Sequence, residues 1–258
     1  MSKICVVIPT IYDHPLRYHL WDRLGVAGPV GKVVVIDNGS NCGTPERKKQ
    51  KWRKNVYVRP GKNLHWAKSC NAGICWALKH GFEFFCLLND DVKVQPEFFA
   101  ALLDAWHAVE SPGLVVPKYN GIFHVEAQDY STLKSFKPEM REEEILYADG
   151  TCMLLHKSSL EAAGFLSEDF RDPNWGVDVD YCYRLRQAGL RLYLTHRTKL
   201  YHGHSTNGVS AGGKSATKLY GSKAAWQAKG KAQAIQDLSE RYGEDWRNVL
   251  GLPPDSHT

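Results

Sequence analysis

Asn89-Asp90-Asp91 closes a run of five apolar residues, Phe84 to Leu88. Two adjacent carboxylates repel each other unless a cation or a donor group lies between them. Open α/β sheets take their ligands at the carboxyl ends of the strands. There such a pair suits a hard divalent cation with oxygen ligands, one that bridges to substrate phosphates. The same triplet also satisfies an Asx-type turn. A second acidic pair, Asp178 and Asp180, stands at the head of an amphipathic stretch, where Asp178 can serve as an N-cap. His202 and His204 flank Gly203 after a strand-like stretch, a spacing that equally fits a surface pair. Gly208 to Ser215 satisfies the P-loop expression, but only a helix and a tail follow, not the parallel sheet a P-loop needs. That match is chance, and the Gly/Ser-rich residues 206–216 are expected to form a flexible lid, ordered only with donor bound.

The elements that must position these groups follow from apolar periodicity. Lys3–Thr10, Lys32–Ile36 and Asn55–Val58 read as strands, and Leu16, Leu20 and Leu24 give 14–24 a helical spacing. Trp66–His80 reads as a helix closed by Gly81. Phe84–Leu88 is a strand buried on both faces. Pro96-Glu97 opens a helix ended by Ser111-Pro112-Gly113, and Leu114–Val116 is a further strand. This alternation over about 118 residues predicts a Rossmann-like, mostly parallel sheet. Residues 119–145 read as loop-rich up to the acidic Glu142-Glu143-Glu144. Cys152–Leu155 is a strand, Ser158–Ala163 a short helix and Asp178–Ala188 an amphipathic one. Arg191–Thr195 and Lys199–His202 read as two strands. Thr217–Arg241 is mostly helical, with Gly221 and Gly230 as weak points.

The chain has 258 residues, 43% of them hydrophobic, enough for one large domain. It holds no apolar run long enough to span a membrane, and the short apolar part of residues 1–9 gives no expectation of a secretory signal. Seven cysteines without a CxxC spacing, several inside apolar runs (Cys5, Cys86, Cys152, Cys182), exclude a zinc ribbon and fit a reduced, cytoplasmic setting. The net charge is only +5, but it is segregated. Residues 47–54 carry six cations around Trp52, and Lys214, Lys218, Lys223, Lys229 and Lys231 form a second series. A solvated helix face explains one such run; two raise the prospect of an anionic partner such as nucleic acid.

The order of motifs is more specific than any one of them. Val6–Thr10 is followed by Val35-Ile36-Asp37-Asn38-Gly39-Ser40, then Asn63–Ile74, then Leu88–Asp91. Asp149–Leu154, Trp175–Arg186 and Tyr201–Ser205 come after. The series resembles the family 2 glycosyltransferases of GT-A fold, particularly the rhamnosyltransferase-like branch, over about residues 3–206. The resemblance implies an α/β fold of GT-A type. Its nucleotide-sugar-binding half is 1–118, and 119–205 is an acceptor-side half with a smaller mixed sheet. Residues 206–258, a loop and C-terminal helical tail, lie mostly outside the resemblance. It implies that Asp37 accepts the N3–H of uracil or thymine above Pro9 and Thr10. Asn63, Lys68 and Asn71 would contact the donor, Lys68 and the helix N-terminus offsetting diphosphate charge. Asp91 would bind a divalent cation, Mn2+ or Mg2+, with Asp90 nearer the ribose and His202 as an imidazole ligand. Asp178 would be the general base. Asp149, Gly150, Trp175, Asp180 and His204 are further substrate-contact candidates, with Asp180 also able to cap its helix.

The implied function is inverting, metal-dependent transfer from a UDP- or dTDP-sugar to a hydroxyl on a saccharide, glycolipid or protein. Three alternatives stay open: the same chemistry on a modified base in DNA, a non-catalytic nucleic-acid or glycan binder on this scaffold, and a sugar-1-phosphate nucleotidyltransferase. The last would need a Gly-rich, Arg-containing loop after the first strand, and Ile11-Tyr12-Asp13-His14 does not provide one.

Overall fold

The computed structural model describes residues 3–11, 20, 24, 28–39, 55–119, 136–202 and 219–252. His204, the 206–216 segment, the basic run 47–54, Lys214 and Lys218, and most of the 14–24 helix lie outside them.

The described residues build one nine-stranded sheet. Its strands are β1 (Ile4–Thr10), β2 (Val30–Asp37), β3 (Asn55–Val58), β4 (Phe84–Leu88), β5 (Val92–Val94), β6 (Pro112–Tyr119), β7 (Glu142–Ile145), β8 (Cys152–His156) and β9 (Arg191–His202). The order is β3-β2-β1-β4-β8-β6-β9-β5, and β7 pairs with the first half of β9. The first four strands are mutually parallel. β8 runs antiparallel to both β4 and β6, β6 and β9 are parallel, and β5 returns antiparallel on β9. The mixed portion is thus continuous with the parallel portion.

Alternation along the strands supplies two cores. Cys5, Val7, Phe85 and Leu87 point to one face, with α1 (His65–Lys79), α3 (Lys157–Ala163), α4 (Val177–Gln187), α5 (Lys223–Tyr242) and α6 (Trp246–Leu250). Ile4, Val6, Ile8, Phe84, Cys86 and Leu88 point to the other, with Phe98, Phe99, Leu102 and Trp106 of α2 (Phe98–Ala108). A strand covered on both faces has no room for polar alternation, which is why β4 is apolar throughout and β1 is apolar up to Thr10 at its end. Among the described residues no helix is long and apolar enough to cross a membrane.

Two expectations are corrected. The acidic triplet 142–144 is not loop but strand β7. Its glutamates face basic side chains on β9: Arg197 Nε lies 2.5 Å from Glu142 Oε1, His196 Nε2 3.3 Å from Glu143 Oε2 and Arg191 Nε 3.5 Å from Glu144 Oε2. Cross-strand opposite charges support pairing that apolar patterning does not announce. Residues 191–202 are one strand rather than two. A register shift opposite Pro117/Lys118 absorbs the irregularity around His196 and Arg197, as a bulge does without ending the strand.

The parallel register brings the functional termini to one edge. Thr10 is paired with Asp37, Val7 with Leu87, Leu88 with Cys152 and Val92 with His202. The ends of β1, β2, β4 and β9 and the start of β8 therefore meet there.

Candidate active site

Asp37 ends β2 buried, with Arg59 Nε 3.5 Å from Oδ2. Asn38 continues the ladder one step further, its N–H donating to Thr10 O at 2.8 Å. Its carboxamide then reaches the first turn of α1. Nδ2 donates to Ser69 Oγ at 2.9 Å, and Oδ1 accepts from Leu64 N at 3.0 Å. Pro9 lies half-buried beside Ile36. Thr10 donates through Oγ1 to Asp90 Oδ2 at 2.5 Å, so Asp90 is tied to the strand that also carries the Asp37 corner.

The candidates on α1 and just before it separate. Lys68 is exposed. Asn63 accepts from His65 N at 2.8 Å, which gives it a turn-forming role. The Asn71 carboxamide is engaged within the protein. Its Nδ2 donates to Leu166 O and Glu168 Oε1, both at 2.8 Å, and its Oδ1 accepts from Leu166 N at 3.2 Å. A buried amide tends to satisfy its whole hydrogen-bonding inventory locally, and here that fixes the segment after α3.

Asp91 Oδ1 and His202 Nε2 lie 3.3 Å apart. Thr151 Oγ1 sits 3.3 Å from His202 Nδ1. Burial by itself would lower the His202 pKa, but the Asp91 carboxylate, then Asp149 and Asp90, lift it to about 9. The pair therefore lies in a strongly negative field. A carboxylate oxygen and an imidazole nitrogen converging in such a field fit a borderline cation such as Mn2+. Among the described residues no group of three or more His, Cys, Asp or Glu side chains is arranged to hold a metal. The protein can thus offer Asp91 and His202, with substrate oxygens and water left to complete a shell.

The turn Asp149-Gly150-Thr151 links this pair to the second acid. Asp149 is buried and accepts from Thr151 N at 2.8 Å. Gly150 N donates to Asp178 Oδ2 at 3.0 Å, and Val179 N donates to Oδ1 at 3.0 Å. Burial first, then repulsion from Asp149, pushes the Asp178 pKa up to about 6 against the pull of those backbone N–H groups. A carboxylate poised there is ionised at neutral pH yet basic enough to take a proton.

Asp180, two residues on, has a different environment. It is fully buried and accepts from Arg184 Nε at 2.9 Å, Tyr242 Oη at 2.6 Å, Ser167 Oγ at 2.8 Å and Arg241 Nη1 at 3.3 Å. It fastens α4 to α5. Trp175 likewise faces α5: its ring meets Trp226 edge-on, centroids 5.2 Å apart, and a Cβ on Gly230 would come within 2.5 Å of it.

Trp66, Thr151 and Arg59 were not singled out by sequence. Trp66 Nε1 donates to Asn89 Oδ1 at 3.3 Å, and its ring covers Gly150, where a Cβ would approach within 2.6 Å. Each stands beside a motif residue, but nothing in its own pattern distinguishes it from a packing residue.

Comparison with known proteins bears on the family and the fold. Residues 20–164 match the pattern of the family described as glycosyl transferase family 2. An uncharacterized protein of Mycobacterium tuberculosis is 30% identical over 157 residues, covering 60% of each chain. The match thus spans about three-fifths of that relative's length. An N-acetylglucosaminyl-diphospho-decaprenol L-rhamnosyltransferase of Mycobacterium tuberculosis is 26% identical over 249 residues, covering 80% of this chain and 78% of the relative. Among solved structures, GalNAc-T7 with UDP, GalNAc and Mn2+ superposes with TM-score 0.63 at 12% identity, covering 97% of this chain and 55% of its own. A mannosyltransferase from Pyrobaculum calidifontis in complex with GDP-Man and Mn2+ gives 0.57 at 16%, covering 96% and 73%. At these identities the likeness is one of fold, which is of GT-A type.

Proposed function

The chain belongs to glycosyl transferase family 2, and on that premise we propose that it is an inverting glycosyltransferase with a nucleotide-diphosphate-sugar donor and a hydroxyl acceptor. The observation that carries this reading is the Asp149-Gly150-Thr151 turn, which binds Asp178 through Gly150 N and His202 through Thr151 Oγ1. The base and one member of the cation-binding pair would thereby be held by adjacent residues of one turn.

The donor's base would lie against Asp37, which accepts N3–H of uracil or thymine, and Thr10 would hold Asp90 in place beside the ribose. A divalent cation bound by Asp91 and His202 would supply charge neutralisation for the departing diphosphate. Asp178 takes the proton of the acceptor hydroxyl as its oxygen bonds to the anomeric carbon. The carbon–oxygen bond to the diphosphate breaks on the opposite face, and its electron pair leaves with the nucleotide. Configuration at the anomeric carbon therefore inverts. The halves 1–118 and 119–205 would carry donor and acceptor respectively, so proximity supplies much of the rate. The sequence likeness to a rhamnosyltransferase named for a diphospho-decaprenol-linked sugar supports an acceptor of the saccharide or glycolipid class.

The test compares Asp178→Asn with the wild type in donor binding and in transfer. Binding of UDP- or dTDP-sugars with Mn2+ should persist, while transfer falls on the order of 10²–10⁴-fold, the usual worth of a general base. Near-normal turnover would reduce Asp178 to a helix-terminal residue.

A further inference from the structure

His65 and Asp172 form a pair that this chemistry leaves unused. His65 opens α1 with φ of 59°, a left-handed conformation uncommon for residues other than glycine. Its backbone N–H donates to Asn63 Oδ1 at 2.8 Å, and its carbonyl accepts from Ser69 Oγ. Its ring is held as firmly, with Nδ1 2.9 Å from Asp172 Oδ1. Asp172 also accepts from Lys229 Nζ at 2.7 Å and from the Tyr220 hydroxyl. Burial works against its ionisation, but these donors and the His65 ring hold its pKa below the usual carboxylate range. A carboxylate only accepts, so Nδ1 must carry a proton, and in the neutral form of the ring Nε2 is then an acceptor. Among the described residues Nε2 makes no hydrogen bond, and the side chain is one-third exposed.

The position matters as much as the tautomer. Leu64, just before, is bonded to Asn38 beside Asp37; Trp66, just after, is bonded to Asn89 of the acidic triplet. His65 therefore lies between the base-side and cation-side corners of the donor site. Asp172 reaches it from the segment that leads into Asp178. Trp66 also covers Gly150, whose N–H binds Asp178, so the sugar of a donor whose anomeric carbon faces Asp178 would lie beyond the diphosphate on this side of α1.

We propose that His65 Nε2 accepts a hydrogen bond from a hydroxyl of the donor sugar, with Asp172 as the positioning residue that fixes the ring's tautomer. The inference rests on the nucleotide-sugar reading above. It makes His65 a specificity determinant, because a site built to pair a hydroxyl disfavours analogues lacking it.

The experiment compares each bare nucleotide with its sugar conjugate by calorimetry in Mg2+: UDP with UDP-glucose and UDP-N-acetylglucosamine, dTDP with dTDP-rhamnose. The wild type should bind at least one conjugate more tightly than the bare nucleotide. His65→Phe should remove about tenfold of that preference, the worth of one hydrogen bond, and leave bare-nucleotide affinity unchanged. Asp172→Asn should act in the same direction. In 15N spectra the wild-type ring should carry its proton on Nδ1, and Asp172→Asn should lose that single tautomer. Equal loss for nucleotide and conjugate, no loss for either, or a wild-type proton on Nε2 overturns the inference alone. A wild type that binds no nucleotide overturns the donor reading and this inference with it.

Discussion

At the scale of single residues, Asp178 and Asp180 show how two acids separated by one valine acquire opposite work. Asp178 meets two backbone N–H groups and the neighbouring Asp149, and its pKa rises from 3.8 to about 6. Because the folded value is the higher one, its contribution to stability is fully present below pH 3.8 and is lost as pH rises through 6. The difference in melting temperature between wild type and Asp178→Asn should therefore move in the variant's favour between about pH 4 and pH 7, and a pH series of thermal melts reads it directly. A flat difference would mean that Asp178 titrates at its ordinary value. Asp91 is argued separately. Of the two convergent candidate ligands it is the anionic one, so Asp91→Ala should abolish the Mn2+-dependent part of UDP or dTDP binding, and calorimetry with and without Mn2+ checks it. The acidic triplet and the D-V-D pattern mark these positions in the sequence. The pattern does not say which acid of each pair faces the cleft, because that depends on partners more than sixty residues away, such as Tyr242 on Asp180. Asn71 illustrates the same limit: its motif position implied a donor contact, and its amide is occupied by Leu166 and Glu168.

At the scale of elements, α4 depends on α5 for its placement. The Asp180 carboxylate collects Arg184 from its own helix and Arg241 and Tyr242 from α5. Breaking a buried ion pair by removing one partner typically costs about 3–5 kcal/mol. Asp180→Ala should approach that loss in chemical denaturation, whereas Asp178→Asn should not. Equal effects from the two would refute the division of labour. Strands β1 and β4 were legible because burial on both faces leaves only apolar, largely β-branched or aromatic sequence. Strand β7 was not, since three glutamates carry no apolar period and their partners on β9, Arg197, His196 and Arg191, lie some fifty residues on. Strand β5 was missed for want of length, three residues being too few to show a period.

At the scale of the whole molecule, the C-terminal segment belongs to the fold. Leu238, Trp246, Leu250 and Leu252 are buried in the same core as β1, β4 and α1. Arg171 binds Asp237 and Glu240 from the loop before α4. A chain ending before residue 219 would leave that core open to water, and burial of such side chains is worth about 1.5–3 kcal/mol each. Its product should be insoluble or melt well below the intact protein; a soluble fragment with unchanged melting temperature would show the tail to be dispensable. The motif series stops near residue 206, so resemblance gave no reason to include these residues in the core. Under the proposed chemistry, the Asp149-Gly150-Thr151 turn, finally, would couple both ends of the reaction. Heritable traits anchored to the same three residues travel together. Under the proposed chemistry, a lineage selected for a different cation through this turn would arrive with an altered acidity optimum as well.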